Sequence, residues 1–469
     1  LKKHIYDISG QLASQGITPS NRAAIVLPNG PEMATAFLSI SSYMSAAPLN
    51  PSYKLKEYEF YLQDLMPKIV IVEKDSHNPA VEAAKNLGIE ICEIKKIDNA
   101  PAGIFNLYDK TSNFELATEN NEALVLHTSG TTSRPKVVPL TNKNIFSSAT
   151  NIANSLQLSS QDHCYNIMPL FHIHGLIAVL SSSINAGASV YASSGFNALK
   201  FLETANKESI TWYSGVPTMH QAILMRAKKN PKLAEELSLR FIRSSSASLP
   251  PAVFDELKKI FKTTVIEAYG MTEATHQMTS NPMPPEKQKA GFVGKPAGPE
   301  VCIMDAQGNK LDSGVDGEVC IRGDNVTNGY ENNEEANKTA FINGWFRTGD
   351  QGHFDNEGYL KISGRLKEII NRGGEKVSPL EVDNILMEHK AVEQVVTFAV
   401  KDNLLGEAIG VAIVLKSGID CNETDIKNYA RKHLADFKIP KYIRFLGEIP
   451  KGATGKLQRI GLAEKLGLE

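Results

Sequence analysis

The stretch Thr128-Ser129-Gly130-Thr131-Thr132-Ser133-Arg134-Pro135-Lys136 follows closely on the apolar run Ala123-Leu124-Val125-Leu126. A loop that follows a buried strand, is rich in hydroxyl side chains and contains a glycine can wrap phosphate oxygens with N–H and O–H donors. This loop is not a Walker A loop, because Lys136 follows Pro135 and no helix runs straight through that proline. A solvated Ser/Thr turn is the alternative interpretation of such a cluster.

On both sides of this loop, short apolar runs alternate with amphipathic stretches. Ala23-Ala24-Ile25-Val26-Leu27 and Pro67-Lys68-Ile69-Val70-Ile71-Val72 have the length of buried strands, and Ala36-Phe37-Leu38 belongs to a helical pattern between them. Such alternation indicates α/β layers around a largely parallel sheet. From about Val301 the strands become shorter and glycine turns more frequent, as in Val315-Asp316-Gly317-Glu318, which predicts a β-rich subdomain of hairpins.

The pattern changes again after Gly364-Arg365. Ser378-Pro379 is typical of a helix start, with a capping hydroxyl and then proline at the first helical position. The runs at residues 395–400 and 411–415 predict strands. We therefore expect an α/β fold with two domains. Residues 1–364 would form a large N-terminal domain of layered α/β subdomains plus the β-rich subdomain, and residues 365–469 a small mobile α+β C-terminal domain.

The composition of the 469 residues is that of an ordinary globular protein. With 42% hydrophobic and 22% charged residues, it excludes disorder, collagen-like repeats and coiled coil as the dominant state. The 50 basic and 52 acidic side chains give a net charge of −2, so we expect no general nucleic-acid binding. No apolar run approaches the roughly 18 residues of a membrane span. Five scattered cysteines without a CxxC pair favour reduced thiols in a cytoplasmic protein over disulfides or zinc.

Five further motifs stand along the chain. They are Met168-Pro169-Leu170-Phe171-His172, Glu267-Ala268-Tyr269-Gly270-Met271-Thr272-Glu273, Trp345-Phe346-Arg347-Thr348-Gly349-Asp350, Gly364-Arg365-Leu366-Lys367-Glu368 and Pro450-Lys451-Gly452-Ala453-Thr454-Gly455-Lys456. With the loop at residues 128–136, and in this order, they resemble the adenylate-forming superfamily, which includes acyl-CoA synthetases, luciferases and nonribosomal adenylation domains. The resemblance covers nearly the whole chain and implies ATP-dependent activation of a carboxylate to an acyl-adenylate, with release of pyrophosphate.

The resemblance implies a role for each motif. The β- and γ-phosphates would be held by Thr128, Ser129, Gly130, Thr131, Thr132, Ser133, Arg134, Pro135 and Lys136. The rest of the nucleotide would be bound by Glu267, Ala268, Tyr269 (stacked on adenine), Thr272 (at the α-phosphate), Asp350 and Arg365 (both at the ribose). Glu273 would coordinate Mg²⁺, a hard ion that prefers oxygen ligands. The expected catalytic residues are His172, Thr272, Glu273 and Lys456, with His172 and Lys456 where the acid meets the α-phosphate.

Taken singly, these residues also have plainer interpretations. Glu273 would be a surface carboxylate, Asp350 part of an Asx turn, and Lys456 part of a solvated tail. The resemblance places a hinge at Lys367, where rotation of the small domain would withdraw Lys456 and present Gly373-Gly374 to a thiol nucleophile. The sequence around Lys367 is by itself equally compatible with an ordinary exposed lysine.

The acid pocket is the part of the resemblance that bears on the substrate. His174, Ser245, Ser246 and His276 fall where the family lines this pocket, next to His172 and Lys456. A fatty-acid tunnel would be apolar, because each buried CH₂ gains about 0.8 kcal/mol. Two imidazoles and a hydroxyl cluster favour instead a very small dicarboxylic acid, whose second carboxylate needs buried donors. Residues 168–176 and 271–280 look like the oxalyl-CoA synthetase branch. Alternatively, His174 or His276 points into the core or toward solvent.

We therefore expect an AMP-forming acid–CoA ligase that uses ATP, Mg²⁺ and coenzyme A, with oxalate as its acid. A fatty or aromatic acyl-CoA synthetase is the alternative among such ligases. An adenylation module that loads a carrier protein is a second alternative, and a catalytically dead nucleotide-binding sensor is a third. Intact Lys456, Glu273 and Asp350 argue against the sensor. A panel of acids assayed for AMP formation with and without CoA separates these functions.

Overall fold

A computed structural model describes residues 1–128, 135–452 and 455–468. Its first layer consists of α1 (Lys2–Ser14), β1 (Arg22–Val26), α2 (Pro31–Ser41), β2 (Ser45–Pro48), α3 (Leu55–Leu65), β3 (Ile69–Glu73), α4 (Pro79–Asn86), β4 (Glu90–Lys96), β5 (Phe105–Asn106), β6 (Glu122–Thr128) and β7 (Lys136–Thr141). The seven strands lie in the order β5-β4-β3-β1-β2-β6-β7. The strands between the two edges are parallel, and the edge strands β5 and β7 are antiparallel to their neighbours.

A second seven-stranded sheet follows, in the order β14-β13-β12-β11-β10-β8-β9. Its elements are α5 (Asn142–Ser155), β8 (His163–Asn166), a π-helix (His174–Ser181), α6 (Ser182–Asn185), β9 (Ser189–Ala192), α7 (Phe201–Lys207), β10 (Trp212–Gly215), α8 (Pro217–Lys229), α9 (Pro231–Glu236), β11 (Phe241–Ser244), α10 (Pro251–Phe261), β12 (Thr264–Met271), a 3₁₀ turn (Thr272–Ala274), β13 (His276–Ser280) and β14 (Lys295–Pro296). Strands β8 to β12 are parallel. Several predicted motifs therefore leave the carboxyl ends of parallel strands, where α/β proteins bind ligands.

Two smaller sheets complete the chain. The third is antiparallel and is formed by β15 (Glu300–Met304), β16 (Gly317–Arg322), β17 (Phe341–Ile342), β18 (Trp345–Phe354) and β19 (Leu360–Arg365), with α11 (Glu334–Ala340) between β16 and β17 in the chain. The fourth comprises β20 (Ile370–Arg372), β21 (Glu375–Val377), α12 (Pro379–Met387), β22 (Val392–Asp402), β23 (Gly406–Leu415), α13 (Glu423–His433), a 3₁₀ turn (Asp436–Lys438), β24 (Tyr442–Phe445) and α14 (Leu462–Lys465). The predicted α/β fold class, with its β-rich subdomain and final α+β unit, is confirmed.

One hydrophobic core joins the two large sheets. It includes Ile25 and Leu124 of the first sheet, Trp212 and Phe241 of the second, and Leu176 of the π-helix between them. The last sheet packs its own separate core around β22 and β23. Among the residues that the structure describes, no helix is long and apolar enough to cross a membrane.

The predicted helix start at Ser378 is confirmed by its cap. The Ser378 hydroxyl accepts the N–H of Glu381 at 3.2 Å, and Pro379 is the first residue of α12. Such a cap satisfies an otherwise unpaired donor of the first helical turn. The predicted strands at 395–400 and 411–415 lie within the long hairpin of β22 and β23.

Candidate active site

The predicted phosphate loop lies between two paired strands. Thr128, the last residue of β6, lies opposite Lys136, the first residue of β7. Six predicted phosphate ligands, Ser129, Gly130, Thr131, Thr132, Ser133 and Arg134, lie outside the described residues. The ammonium of Lys136 lies 4.2 Å from the centre of the Tyr330 ring. Burial lowers the pKa of Lys136, and the nearby Glu273 carboxylate opposes that shift.

Glu273 lies in the 3₁₀ turn that follows β12, directly after Thr272, and is only 6% exposed. One of its oxygens, Oε1, accepts a hydrogen bond from the Tyr330 hydroxyl at 2.9 Å. Burial raises the pKa of Glu273, while Tyr330, Arg365 and Lys136 favour the charged form. The described residues contain no cluster of three metal-ligating side chains. One buried carboxylate nevertheless fits Mg²⁺, which keeps waters and takes phosphate oxygens as its other ligands.

The predicted ribose residues form one hydrogen-bonded group. Asp350 on β18 lies opposite Arg365 on β19, and the Arg365 Nε donates to Asp350 Oδ1 at 3.0 Å. The Tyr269 hydroxyl donates to Oδ2 of the same carboxylate. Burial raises the pKa of Asp350, and Arg365 is the strongest influence in the opposite direction. Tyr269 is therefore brought to the same place as the two residues expected at the ribose.

Glu267 and Ala268, which were predicted to bind the nucleotide, are also near this site, and each accepts a hydrogen bond from another residue of the chain. Glu267 is 1% exposed, and its Oε1 accepts the N–H of Leu249 at 2.9 Å, whereas Oε2 has no hydrogen-bond partner in the described chain. Burial raises the pKa of Glu267 to about 8. The carbonyl oxygen of Ala268 accepts the hydroxyl of Ser245 at 2.8 Å.

His172 and Lys456 are near enough for the Lys456 ammonium to act on the pKa of the His172 ring. The Nδ1 atom of His172 accepts the backbone N–H of His174 at 3.2 Å, so the proton of the neutral ring is on Nε2. Burial, followed by the nearby Lys456 ammonium, lowers the pKa of His172 to about 3. Burial and the Arg365 guanidinium together lower the pKa of Lys456 to about 8. The preceding residue, Gly455, accepts a 2.8 Å hydrogen bond from Thr218 on α8, which anchors the segment.

His174 is fully buried at the start of the π-helix, and both of its ring nitrogens contact serine hydroxyls. Its Nε2 lies 2.6 Å from the Ser214 hydroxyl and its Nδ1 lies 3.0 Å from the Ser246 hydroxyl. Ser246, at a φ of 72°, therefore lies beside the predicted pocket residue His174. Ser245 does not make this contact, because its hydroxyl is bonded to Ala268.

His276 has no such partners. Its side chain is 0% exposed, and neither ring nitrogen has a hydrogen-bond partner among the described residues. Its ring centre lies 4.9 Å from that of His174. The backbone reaches this position at a φ of 91° and packs against Gly270, where a Cβ would lie 1.7 Å from the His276 carbonyl oxygen. Only glycine at 270 is compatible with this path.

Arg243 is a buried charged residue that the sequence analysis did not single out, and it contacts the same Ser214 hydroxyl as His174. It is 0% exposed on β11, and its Nη1 and Nη2 donate to Ser214 at 3.3 Å and to Gln277 at 3.1 Å. Its Nε has no partner, and no carboxylate pairs with it within the described chain. Burial lowers its pKa to about 9, so it stays a cation at pH 7. Its signal in the sequence is a charged residue inside the apolar strand Phe241-Ile242-Arg243-Ser244.

Burial and the charge of Arg243 together keep the imidazole beside it neutral. The pKa of His276 lies well below its ordinary value, first because of burial and then because of Arg243. Burial, His276 and Arg243 lower the pKa of His174 in the same direction. This group of side chains thus combines one buried cation with neutral N–H and O–H groups.

Family models match most of the chain. Residues 1–331 match the AMP-binding enzyme model, and residues 381–456 match the model of the AMP-binding enzyme C-terminal domain. The chain belongs to the AMP-binding enzyme family.

Individual relatives agree with this family. The oxalate–CoA ligase of Arabidopsis thaliana is 46% identical over 97% of this chain and 91% of its own length. The oxalate–CoA ligase of Saccharomyces cerevisiae is 43% identical over 94% of this chain and 86% of its own. The crystal structure of ATP-bound MatB from Rhodopseudomonas palustris superposes with a TM-score of 0.88 at 26% identity, covering 98% and 92% of the two chains. The predicted superfamily and its oxalyl-CoA synthetase branch are confirmed.

Proposed function

We propose that this enzyme is an AMP-forming oxalate–CoA ligase, which converts oxalate, ATP and coenzyme A to oxalyl-CoA, AMP and pyrophosphate. The observation that carries the choice of acid is that, within the part of the chain that the structure describes, the buried cation of Arg243 has no counter-ion and the buried imidazole of His276 has no hydrogen-bond partner. A buried charge without a counter-ion is costly, and so is a buried donor without an acceptor. A small ligand with a second carboxylate removes both costs.

Oxalate suits this pocket because its carboxylates are joined directly. When one carboxylate lies at His172 and Lys456, the other lies only one C–C bond away. That second carboxylate needs a buried partner whose positive charge offsets its own negative charge. Arg243 would supply the charge, and His276 and the Ser246 hydroxyl would supply neutral polar contacts, while His174 would hold Ser246 in place through its Nδ1. A long acyl chain would instead leave these groups buried against methylenes. That mismatch disfavours the fatty or aromatic acyl-CoA synthetase alternative.

In the first half-reaction, a carboxylate oxygen of oxalate attacks the α-phosphorus of ATP, and pyrophosphate leaves. We assign Lys456 and the Nε2–H of His172 to the acid and α-phosphate oxygens, because positive charge must offset the repulsion between two anions. Thr272 would donate to the α-phosphate, and Tyr269, Asp350 and Arg365 would hold the nucleoside. Residues 128–136 would hold the β- and γ-phosphates. Mg²⁺, bound through Glu273, would neutralise phosphate charge.

In the second half-reaction, the thiol of coenzyme A attacks the oxalyl carbonyl carbon, and AMP leaves. We propose that residues 365–469 rotate relative to residues 1–364 about Lys367, which is exposed between β19 and β20. The rotation would exchange Lys456 for Gly373-Gly374 at the site.

We place the enzyme in the cytoplasm, and its five free cysteines support this choice.

The acid pocket is tested with steady-state kinetics on oxalate, acetate and hexanoate. We expect oxalate to exceed both monoacids in kcat/KM by up to ~10⁴, because a polar pocket rejects ligands that leave its groups unpaired. His276→Ala should lower oxalate turnover strongly while ATP affinity is retained. His389→Ala, which removes a largely buried histidine of the last sheet's domain, is the matched control. A preference for hexanoate, or unchanged turnover of oxalate by His276→Ala, would refute the diacid assignment.

A further inference from the structure

Tyr330 contacts two charged groups that the proposed mechanism uses separately. Its hydroxyl donates to Oε1 of Glu273 at 2.9 Å, and its ring centre lies 4.2 Å from the Nζ of Lys136. The side chain is 7% exposed and lies in the segment between β16 and α11. None of the six motifs quoted from the sequence contains it.

The backbone of Tyr330 is fixed from two sides. Its N–H donates to Asn337 Oδ1 at 2.8 Å, and the Asn337 amide donates back to its carbonyl oxygen at 2.8 Å. The next residue, Glu331, donates its N–H to Val137 on β7 at 3.0 Å. These bonds fix Tyr330 against the strand that begins at Lys136.

Lys136 and Glu273 carry opposite charges on either side of this tyrosine, yet no ion pair joins them in the described residues. A direct pair would occupy the carboxylate oxygen that a metal needs and the ammonium that phosphate needs. The Tyr330 ring attracts the ammonium through a cation–π contact. Its hydroxyl occupies one carboxylate oxygen through a charge-assisted hydrogen bond. The second oxygen of Glu273 therefore keeps a fixed direction, which suits the strict octahedral geometry of Mg²⁺.

We propose that Tyr330 is a positioning residue for the Mg²⁺–ATP site, which orients Glu273 through its hydroxyl and separates Lys136 from Glu273 through its ring. The proposal rests on the roles proposed above for Glu273 and Lys136 and is independent of the identity of the acid. Its two parts have different consequences. Loss of the hydroxyl affects only metal-dependent binding, whereas loss of the ring also affects the phosphate contact of Lys136.

The hydroxyl is tested by calorimetric titration of Tyr330→Phe with ATP, once with excess Mg²⁺ and once in EDTA. We expect about tenfold weaker binding of Mg²⁺–ATP and unchanged binding of metal-free ATP. The reason is that Tyr330→Phe removes only the hydrogen bond to Glu273, the carboxylate proposed to bind the metal. Electron paramagnetic resonance of Mn²⁺ with ATP should show the same loss. Tyr359→Phe is the matched control. The ring of this tyrosine likewise lies near a lysine ammonium, that of Lys289 at 4.4 Å, but its hydroxyl donates to the Lys287 carbonyl oxygen at 2.6 Å and not to a carboxylate.

The ring is tested with Tyr330→Leu. We expect weaker binding in both media, because Lys136 can then pair with Glu273. Equal losses with and without metal in Tyr330→Phe, or unchanged Mg²⁺–ATP binding, would overturn the proposal, as would a Tyr330→Leu profile identical to that of Tyr330→Phe. Metal-free ATP binding by Tyr330→Phe shows that its fold is intact. Because no acid is present, failure of the oxalate assignment would leave these results unaffected.

Discussion

Glu267 shows how burial determines the protonation of a single residue. Its pKa is raised to about 8 in the folded protein, so the folded state binds a proton that the unfolded state releases near pH 4.5. The free energy of unfolding should therefore fall by up to about 1.4 kcal/mol per pH unit between these two values, and no further above pH 8.

Glu267→Gln should remove this dependence, since an amide keeps an acceptor for the Leu249 N–H without a titrating proton. The measurement is denaturant unfolding at pH 5.5 and pH 8. We expect the variant to gain stability relative to wild type at the higher pH. Glu236→Gln, at the exposed end of α9, should follow wild type at both values. Parallel pH profiles for wild type and Glu267→Gln would contradict the prediction.

Most of the proposed site residues could be predicted from the sequence because they belong to contiguous motifs. Arg243 and Tyr330 could not, because their significance depends on partners far away in the chain. Arg243 contacts Ser214 and Gln277, which lie on different strands of the second sheet. Periodicity alone identifies a charged residue in an apolar strand, but not the unpaired cation that this fold buries.

At the scale of elements, the loop that carries His172 is held by an asparagine from another layer. Asn29, between β1 and α2, donates from Nδ2 to the Met168 carbonyl oxygen at 3.0 Å and accepts the Leu170 N–H at 2.8 Å. Asn29→Ala should therefore lower the rate of AMP formation by about tenfold, because small displacements of positioned groups are costly to catalysis.

A kinetic comparison with two other variants checks this prediction. Asn29→Asp keeps the acceptor and should lose less activity than Asn29→Ala. Asn86→Ala, which removes an exposed 2.9 Å bond to Glu59, should leave the rate unchanged. An Asn29→Ala enzyme with wild-type kcat would show that the loop keeps its position without this residue.

Strands and helix starts were predictable from local patterns, but the π-helix was not. Residues 174–181 are almost uniformly apolar, and every one of them is buried. Such a run contains no periodicity that separates an α-helix from a π-helix. The π-helix packs against both large sheets, and local sequence patterns do not contain this long-range packing. The packing brings His174 beside Ser214 on β10.

At the scale of the whole molecule, ion pairs connect the proposed hinge region to the segment that carries Lys456. Arg459, three residues after Lys456, pairs with Glu368 at 2.8 Å and with Asp383 at 2.7 Å. Glu368 directly follows the proposed hinge residue Lys367. A rotation about Lys367 would therefore carry Lys456 with it and would break the Thr218–Gly455 bond to the large domain.

This arrangement predicts that two lysines separate the half-reactions. Lys456→Ala should lower adenylate formation by about 10²–10³-fold and spare CoA transfer to supplied oxalyl-adenylate, because only the first step uses that charge. Lys367→Pro should do the reverse, since a fixed φ hinders the rotation. Lys451→Ala, in the same segment as Lys456 but paired with Glu448, is the matched control and should leave both steps unchanged. Each half-reaction is measured alone, the first as pyrophosphate release without CoA and the second as AMP release from supplied adenylate. Equal losses in both steps for Lys456→Ala would refute its role, and full thioester synthesis by Lys367→Pro would show that the small domain turns elsewhere.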